Sequence, residues 1–90
     1  MRTSSVANAA DCPFDGPVDG YWQGPFWDSV VGDADSQSKA EYIAESEFAD
    51  WRRDNPNCWI LKTRVTFYTD YTQDWWECLI EFQYKEYFED

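Results

Sequence analysis

Two runs of strict alternation constrain this chain more than any other feature of it. In the first, Trp59, Leu61, Thr63, Val65 and Phe67 alternate with Ile60, Lys62, Arg64, Thr66 and Tyr68. In the second, Trp76, Cys78, Ile80, Phe82 and Tyr84 alternate with Trp75, Glu77, Leu79, Glu81 and Gln83. A period of two in β-branched and aromatic residues is the pattern of a strand with one buried face. Asp70-Tyr71-Thr72-Gln73 supplies the connection, although without the strong Asn-Gly turn signal. An antiparallel hairpin is therefore expected over about 58–69 and 75–88. Pairing Phe67 with Trp76 sets Val65 opposite Cys78, Leu61 opposite Phe82 and Trp59 opposite Tyr84. The same register puts Lys62 opposite Glu81, with Arg64 diagonal to Glu77 and Glu81. Apolar faces then coincide and charges oppose.

A helix is expected over about 38–53. Ser38-Lys39-Ala40-Glu41 fits a capping box, in which the Ser hydroxyl and the Glu three residues on satisfy free backbone N–H groups. Asp33 and Asp35 lie near the positive end of the helix dipole and Arg52 and Arg53 near its negative end. Asn55-Pro56 stops the helix. Ala40, Ala44, Phe48 and Trp51 share one face with Ile43 at its margin, and that face is expected to pack on Trp59, Phe67, Trp76 and Phe82. Glu47 projects beside this face and is expected to reach Lys62 or Arg64, since an unpaired buried carboxylate is costly.

Residues 1–10 are small and polar and read as a flexible tail, leaving 11–90 as a single domain. Between Asp11 and Gly32 lie all four Gly and three of the four Pro, in Asp15-Gly16-Pro17, Asp19-Gly20 and Gly24-Pro25. These are turn signals, so the segment reads as an irregular, aromatic-rich arm with one candidate short strand at about 26–31. The fold class expected is α+β: arm, helix, and hairpin with the helix on one face. The outward hairpin face carries Tyr68, Trp75 and Leu79. Either the arm covers it, or an apolar patch stays open.

Composition narrows function. Eighteen Asp and Glu against seven Lys and Arg, with no His, give a net charge of −11. Acidic disordered chains are poor in aromatics, whereas a fifth of this one is aromatic, so the chain is expected to fold. Direct binding to nucleic acid or an anionic membrane is disfavoured, because phosphate contacts need clustered Lys and Arg. Residues 57–74 are neutral, and the surplus acid lies in the arm, around the helix start and in Glu86-Tyr87-Phe88-Glu89-Asp90. Glu41 and Glu45 stack one turn apart, about 6 Å at Cβ, close to the phosphate spacing of a nucleic-acid strand. Such acidity serves solubility, or it serves a cationic partner.

Cys12, Cys58 and Cys78 lack zinc-finger spacing, and with no His a four-ligand zinc site would need carboxylates; no metal or cofactor is expected. No secretory signal is evident in residues 1–10, so the simple expectation is a reducing cytoplasm with free thiols. Without His, the triads built on it are excluded. No phosphate loop occurs, and Asp33-x-Asp35 fails as a calcium loop because Ser38 and Ala44 stand where Gly and Glu are needed. Ninety residues offer little room for a cleft between paired carboxylates. The expectation is a binding protein and not an enzyme.

In size, charge and aromatic content the chain resembles bacterial immunity proteins and phage-borne inhibitors of host defence, a likeness of type that no motif carries. It implies an inhibitor occupying the basic surface of a nuclease or nucleic-acid-binding complex. The candidate acidic contacts are Asp28, Asp33, Asp35, Glu41 and Glu45, with Trp22 and Trp27 as anchors. The alternatives are a structural or assembly subunit that oligomerises through its aromatic patch, and a carbohydrate module stacking sugars on exposed Trp. The sequence leaves the oligomeric state open.

Overall fold

In the computed structural model, Cys12 and residues 22–87 are described. Four elements follow in order: β1 (Trp22–Ala34), α1 (Gln37–Asp54), β2 (Cys58–Thr69) and β3 (Trp76–Tyr87). The strands form one antiparallel sheet in the order β1-β3-β2, with the helix on one face, so the α+β architecture stands. The expected tail at 1–10, the turns at 13–20, Tyr21 and the acidic terminus at 88–90 lie outside the described residues.

The arm is corrected most. From Trp22 onward it is a long edge strand, paired with β3 from Phe26↔Tyr84 to Ala34↔Trp76. Its Gly and Pro are not turn residues. Gly24-Pro25, joined by a cis peptide, lies at an irregularity between Gln23 and Phe26, on an edge where a missing N–H is tolerated. Gly24 has φ +135°, which L side chains rarely adopt. Gly32 is pressed under the helix. A Cβ there would lie 2.5 Å from the Ala40 carbonyl oxygen and closer still to the Ala44 nitrogen, so α1 rests directly on β1.

The helix begins slightly earlier than the capping box implies. Ser36 is the cap, its hydroxyl accepting the Lys39 N–H at 3.3 Å, and the Ala40 N–H donates to the Ser36 carbonyl at 3.0 Å. Ser38 is already inside the first turn. At the other end the Asn55 side chain donates to the Trp51 carbonyl at 2.7 Å. The inward face is the expected one: Ala40, Ala44 and Phe48 are buried and Trp51 half-buried. Two alanines at the contact let the helix approach the sheet closely. Glu47 is exposed to solvent and needs no buried cation.

The hairpin forms, in another register. Phe67 pairs with Cys78, Val65 with Ile80 and Thr63 with Phe82, two residues from the expected pairing. A two-residue shift keeps every side chain on its face, so polarity could not separate the alternatives. The observed one sets Arg64 opposite Glu81, with an ion pair at 2.8 Å. The turn is held by Asp70, whose carboxylate accepts the Thr72 hydroxyl at 2.8 Å and the Asp74 N–H at 3.2 Å. These bonds hold the Asp70 carboxyl below its usual pKa.

An irregularity between Ile60 and Lys62 then reverses the alternation of β2. Ile60 and Cys58 turn inward and are buried, Leu61 is exposed, and Trp59 passes to the outer face beside Trp22. The expectation that Trp59 and Leu61 face the helix fails at this extra residue. The reversal aims Cys58 at Cys12, with which it forms a disulfide across a Cα separation of 5.3 Å. The expectation of three free thiols is thereby overturned. Arg52 locks the same corner, donating to the Cys12 carbonyl through Nε at 2.8 Å and a terminal nitrogen at 2.6 Å. Cys78, buried, keeps its thiol, and burial, with Glu41 and Glu45 nearby, pushes its pKa up.

Between helix and sheet, Phe82 is fully buried against Phe48 and Trp51, each with ring centroids 4.6 Å away. Trp51 also meets Tyr84 at 4.8 Å. Each ring of this kind can bury roughly 150–250 Å², which is how so short a chain closes a core.

Candidate interaction surface

Side chains of a sheet alternate between its faces, so the helix can cover only one of them. On the other face the paired rows read Asp33–Glu77–Tyr68, Val31–Leu79–Thr66, Ser29–Glu81–Arg64 and Trp27–Gln83–Lys62 across β1, β3 and β2. Among the described residues no element lies over these rows. Trp27 is 54% exposed, Trp75 53%, Tyr68 52% and Val31 45%. Of the two outcomes left open for the arm, residues 22–34 give the second and leave this face uncovered. They extend the sheet and widen the bare surface.

The face is graded in charge. At its centre Arg64 and Glu81 neutralise each other, and Lys62 stands over the Trp27 ring with its nitrogen 5.5 Å from the centroid. An open depression of about 600 Å³ lies among Trp27, Asp28, Ser29, Lys62, Arg64 and Glu81. Toward the hairpin turn the character changes. Asp33 and Glu77 stand directly opposite each other, and among the described residues no cation pairs with either. Like charges in opposing positions destabilise a sheet. Beside them a smaller hollow of about 270 Å³ is formed by Tyr68, Thr69, Asp70, Trp75 and Glu77. At the far end, Trp22 packs edge-on against Trp59 at 5.7 Å and Tyr87 at 5.3 Å.

The seven residues singled out in the sequence do not form one site. Trp27, Asp33 and Trp22 belong to this outer face. Asp28 is on the opposite face, where its carboxylate accepts the Trp51 indole N–H at 3.1 Å and the Ser29 N–H at 2.7 Å. That carboxylate thus links β1 to the helix. Asp35 follows β1 and pairs with Lys39 at 3.4 Å. Glu41 and Glu45 project from the flank of α1 above Cys78. Val31 was missed as a surface residue, and Glu77, already placed on the outward face, was not named as a contact. The alternation of Trp27, Ser29, Val31 and Asp33 with Phe26, Asp28, Val30 and Gly32 carried that signal, masked by the neighbouring Gly and Pro.

A broad, shallow, aromatic surface holds another surface better than it encloses a small substrate. Among the described residues no three potential metal ligands converge, and no helix is long and apolar enough to cross a membrane. Compared with protein-family models, curated proteins and solved structures, the chain matches none.

Proposed function

We propose that this protein acts by binding a cationic macromolecular partner through its outer sheet face, as an inhibitor that occupies a basic surface of a nuclease or nucleic-acid-binding complex. The observation that carries the reading is the exposed face itself: Trp27, Tyr68 and Trp75, each more than half exposed, beside the Asp33–Glu77 row, which no cation among the described residues pairs. Aromatic anchors dominate binding energy where they are desolvated, and a charged rim accelerates encounter. A net charge of −11 steers the chain toward cations and away from nucleic acid. The role so read is one of occlusion, not catalysis.

Capture from the native host with immobilised protein tests this directly. Wild type should retain a basic protein or nucleoprotein, and Trp27→Ala combined with Trp75→Ala should lose it. Retention should weaken as salt rises through the moderate range; a salt-insensitive, Trp-independent catch defeats the reading. The sequence-based expectation of a cytoplasmic setting sits uneasily with Cys12–Cys58, because disulfides persist mainly in oxidising compartments. The bridge therefore favours an oxidising one.

The same open face supports a second reading, an assembly subunit whose copies bury it against each other. The charge on each copy opposes that. Light scattering coupled to size exclusion separates the two, since only the assembly reading requires an oligomer of the protein alone.

A further inference from the structure

The inner face of the sheet is also incompletely covered, for a reason of dimension. Neighbouring strands lie about 4.8 Å apart and a helix with its side chains is about 10 Å across, so one helix covers two strands and not three. Here α1 packs chiefly on β1 and β3. The inner side chains of β2 past its irregularity, Thr63, Val65 and Phe67, are left beside the helix with no described element above them. Val65 is 47% exposed although it stands opposite Ile80, which is 3% exposed. The wall of this trough on the helix side is anionic. Glu41 and Glu45 fall on the same flank of α1 as Arg52, which reaches across to the Cys12–Cys58 bridge at the start of β2, and no described cation pairs with either. Lys62 and Arg64, the only cations of β2, point to the opposite face, toward Trp27 and Glu81. One end is shut by Cys12–Cys58 and Arg52.

We infer that this trough is a docking site for a cationic amphipathic helix of another protein, lying alongside α1 over β2 as the missing second helix of the layer. Thr63 to Thr69 spans about 20 Å of strand, the length of a helix of about 13 residues. Apolar side chains at i, i+3, i+4 and i+7 seat on Val65 and Phe67. Lys or Arg one turn apart on the adjoining flank meets Glu41 and Glu45, whose own spacing is one turn. Cations are required, because docking withdraws both carboxylates from water. A second copy of this chain is the wrong occupant: it brings a net charge of −11 to an anionic wall. The site is separate from the outer face and does not depend on it.

The test uses isotope-labelled full-length protein and a synthetic 14-residue helical peptide with a leucine stripe and flanking lysines. Amide shifts are expected at Glu41, Glu45, Thr63, Val65 and Phe67, with Trp27 and Tyr68 unmoved. Glu41→Gln with Glu45→Gln, both at the helix surface, should weaken binding about tenfold, equivalent to roughly 1.4 kcal/mol. Val65→Glu should abolish it while leaving the spectrum of the free protein dispersed. The proposal is overturned if a scrambled peptide of equal charge binds as well, if the shifts fall on the outer face, or if the Gln pair changes nothing. It is equally overturned if deleting residues 2–10 strengthens binding severalfold, which would make the chain's own terminus the occupant, or if Val65→Glu dissociates a homodimer.

Discussion

The two faces of the sheet draw on the same stock of aromatic and aliphatic residues and treat it in opposite ways. On the inner face Phe82 is sealed between Phe48 and Trp51, and the helix backbone rests on Gly32. On the outer face Trp27, Tyr68 and Trp75 stand more than half exposed, accompanied by paired and unpaired charges. The difference is not one of residue type. An inner ring has a helix above it and contributes to stability. Trp27, Tyr68 and Trp75 have no described element above them and can contribute to association.

That contrast makes its sharpest prediction at Phe82. Phe82→Ala should cost about 3–5 kcal/mol in urea unfolding. Trp75→Ala, on the bare side, should stay within about 0.5 kcal/mol. Equal losses would mean that the outer face is covered in solution. Gly32→Val comes next, at about 3 kcal/mol, because the helix backbone cannot withdraw without opening the layer; tolerance of the valine would show that α1 does not rest on β1. Reducing Cys12–Cys58 should remove about 2–4 kcal/mol, read as a lower urea midpoint in the presence of a reductant. No midpoint change would detach the corner from the inner core.

The smallest effect is in pH. Burial leads the causes that raise the folded-state pKa of the Cys78 thiol and the Tyr84 phenol, against ordinary values of 9.0 and 10.0. Both groups are held protonated by the fold. Their stabilisation is complete below those ordinary values and is lost as pH rises through the raised ones, because the unfolded chain releases its protons first. Unfolding midpoints should therefore decline in mild alkali, and Cys78→Ala should remove the thiol's share of that decline. A profile flat up to strong alkali would place both groups in contact with water.

Much of this organisation was legible residue by residue. Ala40, Ala44, Phe48 and Trp51 announced the helix face, and Cys78, Ile80 and Phe82 the inner row of β3. Where the reading failed, a single residue changed the meaning of many. Gly32 looks like a turn until the helix above it is known, and with it Val31 and Asp33 join the surface. One extra residue near Leu61 reverses Trp59, Ile60 and Cys58 together. Of the candidate contacts, Asp28 also accepts the Trp51 indole N–H, a bond hidden in the sequence because its partner is distant.

Periodicity and caps are local properties, so the chain alone determined that it forms a helix and a hairpin and, apart from the stretch of β2 before Lys62, which side of each is apolar. Register, the third strand, the disulfide and the bare face are long-range properties. A shift of two residues leaves the local pattern unchanged, and whether a ring is core or surface depends on what arrives above it. Only the packed structure decides that, because a helix about 10 Å across covers one side of two strands and leaves the rest open.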